Sequence, residues 1–226
     1  LFNAGMGDKI GYFYAMQGVV ALFMPALMGI VADRWIPAQK LLAGCHLLSA
    51  LFKAGMGYVA LSATDMVADE YPTLLLLYAL SVAFFMPTLA LSNSVSYTAL
   101  ESVKLDPVKS FPPIRVFGTI GFICSMIATD VLGFQASYNQ FFLSSALGLM
   151  AAGYALTLPP CPVSKHQESK SLVEALGLNA FSLFKQRKMA LFFVFSVLLG
   201  VALQITNGFA NPFLNSFAQI PEYADT

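Results

Sequence analysis

Charged side chains are scarce in this sequence of 226 residues: 11% are Asp, Glu, Lys or Arg, whereas 58% are hydrophobic. Soluble domains carry about 25% charged residues. So few charges could not cover the surface of a soluble globule of this length. The composition therefore excludes an ordinary cytosolic enzyme, a nucleic-acid-binding protein and a disordered protein, and it predicts an all-α, polytopic membrane protein.

Cysteine and histidine are also few. The three cysteines, Cys45, Cys124 and Cys161, form no CxxC pair, and the two histidines, His46 and His166, lie far apart. This pattern argues against a disulfide framework and against a metal site. The sequence contains no Ser/His/Asp set, phosphate loop or glycine-rich nucleotide motif. We therefore predict no catalytic residue, no cofactor and no metal ligand.

Long apolar runs are abundant. A helix that crosses a membrane needs about 20 mostly apolar residues, and six segments meet this requirement. They are Tyr12–Ala32, Leu41–Ser62, Thr73–Leu100, Pro113–Leu132, Gln140–Leu158 and Met189–Phe217. The third and sixth are longer than a bilayer requires, so we expect them to tilt or to bend, with Pro87 and Pro212 as the bending points.

Basic residues alternate between the loops. Ten of the 12 Lys and Arg residues follow the first, third and fifth segments, and the loops after the second and fourth contain none. The basic residues in question are Arg34, Lys40, Lys104, Lys109, Arg115, Lys165, Lys170, Lys185, Arg187 and Lys188. The positive-inside rule then predicts an orientation. Residues 1–11 and the C-terminus lie outside, and loops 33–40, 101–112 and 159–188 lie inside.

The longest inner loop, 159–188, contains a helix-start pattern. Ser171 and Glu174 have the spacing of a capping box, and apolar residues follow at helical intervals. We interpret this stretch as an amphipathic helix on the inner membrane surface. An ordinary loop with one helical turn is the alternative.

Polar groups within a bilayer are costly, so each one is a candidate for function. Arg115, Thr119 and Phe122 have spacings of four and three, which place them on one helix face. Pro112 and Pro113 before them are suited to the first turn of a helix. Arg115 is a fixed cation with five donors that could bind a ligand, or it could extend toward the inner surface.

The last apolar segment carries a stripe of amides: Gln204, Asn207, Asn211 and Asn215. Amides offer paired donors and acceptors that suit hydroxyl groups and base edges. Hydrogen bonding between helices is the alternative interpretation.

Three weaker candidates remain. Thr88, Ser92 and Ser96, with Asn93 and Tyr97, follow Pro87, and packing is the favoured interpretation of these hydroxyls. Gly29, Asp33 and Arg34 at the inner end of the first segment could lock an inner gate, or form a simple pair of end charges. Lys53 is an isolated cation in the second segment that either reaches outward or pairs with an acid in the membrane.

Several of these strings resemble a known family. They are Phe23–Trp35 (FMPALMGIVADRW), Met86–Leu89 (MPTL) with Asn93 and Tyr97, Phe111–Phe122 (FPPIRVFGTIGF) and Leu203–Asn207 (LQITN). In this order they resemble the nucleoside:proton symporters, the bacterial nucleoside permeases of the major facilitator superfamily.

The resemblance implies a twelve-helix transporter of two six-helix bundles, of which this chain covers the second to seventh helices. Residues 1–160 would form five helices of an incomplete N-terminal bundle, 161–188 a cytoplasmic linker, and 189–226 the first helix of the C-terminal bundle. The protein would act as a monomer in the lipid bilayer of a bacterial inner membrane. Its partners would be a nucleoside and a proton.

The resemblance also assigns residues. It implies that Arg115, Thr119 and Phe122 on one helix, and Gln204 and Asn207 on another, line the nucleoside site. Asn93, Tyr97 and Asn211 are further candidates for the cavity lining, and Gly29, Asp33 and Arg34 match the gating motif of the superfamily. A sugar or oligosaccharide symporter of the same fold is the close alternative. A membrane scaffold without transport is a more distant one.

Overall fold

The computed structural model describes residues 6–63, 69–161 and 178–217, and these residues form helices and no β-strand. The α-helices are α1 (Ile10–Arg34), α2 (Ala38–Ser62), α3 (Tyr71–Ser102), α4 (Pro107–Val131), α5 (Asn139–Ala155) and α6 (Arg187–Phe217). Short 3₁₀ helices cover Gly7–Lys9 and Leu178–Lys185. The predicted all-α class is confirmed, and each of the six predicted apolar segments contains an α-helix.

Five of these helices are long and apolar enough to cross a membrane, by length and composition within the described ranges. At ~1.5 Å per residue, the 25 residues of α1 extend over ~37 Å, which exceeds a hydrocarbon core of about 30 Å. The exception is α5, whose 17 residues extend over only ~26 Å. A helix this short requires a thinner bilayer or flanking residues that complete the span.

The start of α4 differs from the prediction. The helix begins at Pro107, and the carboxylate of Asp106 accepts a hydrogen bond from the backbone N–H of Val108 at 3.0 Å. The sequence predicts Pro112 and Pro113 in the first turn of the helix. Both residues instead lie inside α4. An aspartate cap followed by proline strongly favours the start of a helix. The helix therefore begins several residues before the apolar segment.

The linker is described only in part. Residues 162–177 lie outside the described ranges, and these include the capping box at Ser171 and Glu174. The eight residues Leu178–Lys185 form a 3₁₀ helix. The predicted amphipathic helix stays a prediction.

The described residues separate into two compact units. The first contains α1 to α5, in which α2 packs against α3 and α5, and α1 packs against α3. The second contains the 3₁₀ helix Leu178–Lys185 and α6, which contact each other through the rings of Phe184 and Phe193, 4.4 Å apart.

Small residues bring α2 and α5 close together. A Cβ atom at Gly148 would lie 3.0 Å from the Cβ of Ala50, and one at Gly57 would lie 3.0 Å from the ring of Phe142. Beside Gly148, the Ser145 hydroxyl donates to the carbonyl oxygen of Ala50 at 2.8 Å. Close backbone approach at small residues is the usual way in which membrane helices gain packing energy, because lipid removes the hydrophobic drive for association.

A second polar contact joins α2 to α3. The buried hydroxyls of Ser49 and Ser81 lie 3.3 Å apart, and the Ser81 hydroxyl also lies within 3.4 Å of the Ser49 carbonyl oxygen. Both side chains are about 2% exposed. The pair satisfies polar groups that lipid could not, and thereby fixes α3 against α2.

Two helices expose most of their surface. None of the residues of α4 is buried, and α4 contacts mainly α3. The apolar 18-residue window of α6 has no buried residue either. Helices that are apolar around most of their circumference belong in lipid or between other helices.

The contact between α2 and α5 gives a test of the fold. Replacing Gly148 with Leu should lower the free energy of unfolding by about 2 kcal/mol, because the added side chain overlaps Ala50. Gly153→Leu on the same helix is the matched control, since a Cβ at Gly153 meets no atom within 4 Å. Thermal unfolding of the full-length protein in detergent measures both. Equal melting temperatures for the two variants would contradict this packing.

Candidate functional site

One face of α4 carries the polar and aromatic groups that the sequence singled out. Arg115, Thr119 and Phe122 all lie within the continuous helix Pro107–Val131, so their spacing does place them in one stripe. All three side chains are exposed, and the Phe122 side chain is 65% exposed. The stripe thus presents a cation, a hydroxyl and an aromatic ring on the exposed surface of α4.

Gly118 makes room for the Arg115 side chain. The guanidinium group lies beside the helix at the following turn, and its Nη1 atom is 2.7 Å from the position that a Cβ at residue 118 would occupy. Any side chain at this position would therefore displace the guanidinium. At Gly121, one turn further along, a Cβ would meet no atom within 4 Å. The glycine at 118 is thus a steric requirement of the Arg115 conformation, whereas the glycine at 121 is not.

An aromatic contact joins the beginning of the stripe to α3. The rings of Tyr97 and Phe111 meet edge to face with centroids 4.7 Å apart. Phe111 precedes Arg115 by four residues, and Asn93 precedes Tyr97 by four, so each lies one turn, or ~6 Å, from the contact.

The small hydroxyls of α3 donate hydrogen bonds to backbone carbonyls of the same helix. Thr88 donates to the carbonyl oxygen of Phe85 at 2.6 Å, Ser92 to that of Leu89 at 3.0 Å, and Ser96 to that of Ser92 at 2.7 Å. Such bonds satisfy a hydroxyl within an apolar environment without a ligand. The structure therefore agrees with the interpretation that these residues serve packing.

The amide stripe lies on α6, in the second unit. Gln204 and Asn207 are exposed on this helix. Asn211 also belongs to α6, but its side chain lies outside the described part, as does that of Asn215. The α4 stripe, Asn93 and Tyr97 thus belong to the first unit, and Gln204 and Asn207 belong to the second.

The gating motif lies where α1 ends. Asp33 and Arg34 occupy the last turn of α1, and both side chains are exposed. A Cβ at Gly29 would meet no atom within 4 Å among the described residues. The assignment of these three residues to a gate stays a prediction.

A cavity that the sequence analysis did not foresee lies between α1, α2, α3 and α5. It has a volume of about 320 Å³. Its lining contains Gln17, Met56, Tyr78, Ser81, Val82, Phe85, Met86, Gln140, Phe141 and Ser144, together with Lys53. The isolated lysine was the one signal in the sequence, since the other polar residues come from distant segments. The described residues hold no group of three His, Cys, Asp or Glu that could bind a metal ion.

Comparison with known proteins places the chain in a recognised group. The family described as nucleoside H⁺ symporter matches residues 1–225. The xanthosine permease of Escherichia coli is 47% identical over 220 residues, which are 97% of this chain and 50% of the permease. The nucleoside permease NupG of the same organism is 43% identical, with the same shares covered.

The fold agrees with a solved structure of the group. The crystal structure of an aspartate-to-alanine mutant of the nucleoside transporter NupG superposes with a TM-score of 0.79 at 42% identity, over 96% of this chain and 52% of NupG. This match confirms the predicted major facilitator-type helical bundle and a multi-pass membrane protein. The chain spans about half the length of the relatives that it matches.

Proposed function

The chain belongs to the nucleoside H⁺ symporter family, and on this premise we propose that the full-length protein imports nucleosides across a bacterial inner membrane together with protons. The observation that carries the proposal is the α4 stripe of Arg115, Thr119 and Phe122. A fixed cation within a membrane helix is expensive to keep, so it is retained where it serves a substrate or an ion. No covalent chemistry is involved, and the protein is a transporter rather than an enzyme.

Each residue of the site has a role that its chemistry supports. The Phe122 ring stacks on the nucleobase, because both partners are flat and apolar on their faces. Gln204 and Asn207 donate and accept hydrogen bonds at the base edge or the ribose. Arg115 binds the ribose hydroxyls directly, or it pairs with an acid elsewhere in the full-length protein. Thr119 adds one hydroxyl beside it, and Asn93, Tyr97 and Asn211 complete the lining.

Coupling to protons follows from linked equilibria. In this proposal a carboxylate outside the present chain takes up the proton and thereby changes its attraction for Arg115. The exchange drives uptake only if proton and nucleoside bind the outward-open and inward-open states with different affinities. The two bundles then rock about the site to expose it to each side in turn.

The charge pattern supports one orientation in the membrane. Arg34 ends α1, Lys104 follows α3, and Lys185 precedes α6, so residues 33–40, 101–112 and 159–188 face the cytoplasm and the start of the chain faces outward. In this orientation Gly29, Asp33 and Arg34 lie at the inner gate. One full-length chain in the bilayer forms the complete site, and no second copy is needed.

The first test is uptake of labelled uridine by the full-length protein in proteoliposomes, with and without an inward proton gradient. We expect the gradient to stimulate uptake, unlabelled adenosine to compete and lactose not to compete. Competition by lactose and not by adenosine would instead favour a sugar symporter of the same fold. No uridine uptake by folded protein would refute the nucleoside proposal and leave the fold unaffected.

The second prediction concerns the α4 stripe. Arg115→Ala should lower uridine uptake at least tenfold, because hydrogen bonds to a charged donor contribute about 1.5–3 kcal/mol. Thr119→Ala should lower it only about fivefold, since a neutral hydrogen bond contributes about 1 kcal/mol. Initial rates in proteoliposomes with matched protein content measure both. Wild-type uptake by Arg115→Ala would exclude the role proposed for Arg115.

The third prediction uses the two glycines of α4. Gly118→Ala should lower uridine uptake about two- to tenfold. The new methyl group displaces the guanidinium of Arg115, and the proposed contacts of this group with the substrate depend on its position. Gly121→Ala is the matched control and should transport at the wild-type rate. Both changes favour the helix itself by ~0.5–1 kcal/mol, so instability would not explain a loss. Equal uptake by the two variants would contradict the proposed placement of Arg115.

A further inference from the structure

Lys53 lies deep within α2 and points into the first unit. It is nine residues from the end of the helix at Ser62, which corresponds to ~14 Å along the axis. This distance is greater than a lysine side chain can reach toward the end of the helix. The Nζ atom instead lies over the Phe85 ring of α3, 4.5 Å from its centroid. The positive charge therefore stays inside the helix bundle.

The cavity around Lys53 combines this cation with neutral polar groups. Gln17 comes from α1, Tyr78 and Ser81 from α3, and Gln140 and Ser144 from α5. Among the described residues, the lining contains no Asp or Glu. A charge in a membrane interior without an opposite charge is costly, and the attraction to one aromatic ring stabilises it without neutralising it.

The hydrogen bonds in the cavity leave donors available. The Tyr78 hydroxyl donates to the Oε1 atom of Gln17 at 3.1 Å, so this bond uses the acceptor end of the amide and leaves its NH₂ group. Ser81 is occupied by Ser49. Gln140 and Ser144 add an amide and a hydroxyl from the opposite side. The volume of about 320 Å³ equals that of roughly ten water molecules, so a small ion and part of its hydration shell would fit.

We propose that this cavity binds a small monovalent anion such as chloride. Lys53 supplies the opposite charge, and Gln17, Gln140 and Ser144 supply hydrogen bonds. The site is separate from the stripe of Arg115, Thr119 and Phe122, because α4 contributes no residue to the lining. By neutralising Lys53, the anion stabilises the contact of α1, α2, α3 and α5 around the cavity.

Thermal unfolding of the purified full-length protein in detergent tests the proposal. Chloride replaces gluconate stepwise at constant sodium concentration and ionic strength. We expect the melting temperature to rise by about 2 °C or more and to reach a plateau, as a ligand of the folded state requires. Lys53→Met should abolish the rise. Lys40→Met, which removes an exposed lysine from the same helix, should retain it.

A milder variant keeps the test decisive if Lys53→Met does not fold. Ser144→Ala should raise the chloride concentration at the midpoint of the curve about fivefold, because one donor is lost. The proposal is wrong if chloride leaves the wild-type melting temperature unchanged, as it would if a carboxylate of the full-length protein already neutralised Lys53. It is also wrong if the rise persists in Lys53→Met. Neither result depends on uptake, so the nucleoside proposal stands or fails independently.

Discussion

Hydrocarbon offers no hydrogen bonds, and this single constraint determines where the polar side chains of these helices lie. Within the first unit the hydroxyls form hydrogen bonds in two ways. Thr88 and Ser96 bond to the carbonyls of their own helix, and Ser49 and Ser145 bond across to α3 and α2. Side chains that are charged cannot be satisfied so simply. Arg115 and Lys53 are therefore the two positions at which we propose a ligand.

The helices of the first unit differ in how closely they pack. Hydrogen bonds and small residues hold α2 tightly against α3 and α5, whereas α4 contacts mainly α3, with the ring contact of Tyr97 and Phe111 near its beginning. The helix that carries the proposed substrate contacts is thus the one with the fewest restraints from its neighbours.

Much of the fold could be predicted from the sequence, because the length of an apolar run and the alternation of basic loops reflect the bilayer directly. The start of α4 could not be read from hydropathy, since the cap at Asp106 acts locally and the helix begins before the apolar run. The stripe from Arg115 to Phe122 could be predicted from its spacing. The steric need for glycine at position 118 could not be predicted, because it depends on the conformation of the Arg115 side chain. The cavity at Lys53 could not be predicted either, because its lining residues come from four helices and are far apart in the sequence, from Gln17 to Ser144.

The distribution of thiols has a practical consequence for spectroscopy. Cys45 and Cys161 are buried, whereas Cys124 is exposed on α4, two residues beyond Phe122. Among the three cysteines of this chain, a spin label or fluorophore directed at thiols would therefore attach first to the helix that carries the proposed site. Distances from such a label to a second, introduced probe would report any movement of α4 in the proposed transport cycle.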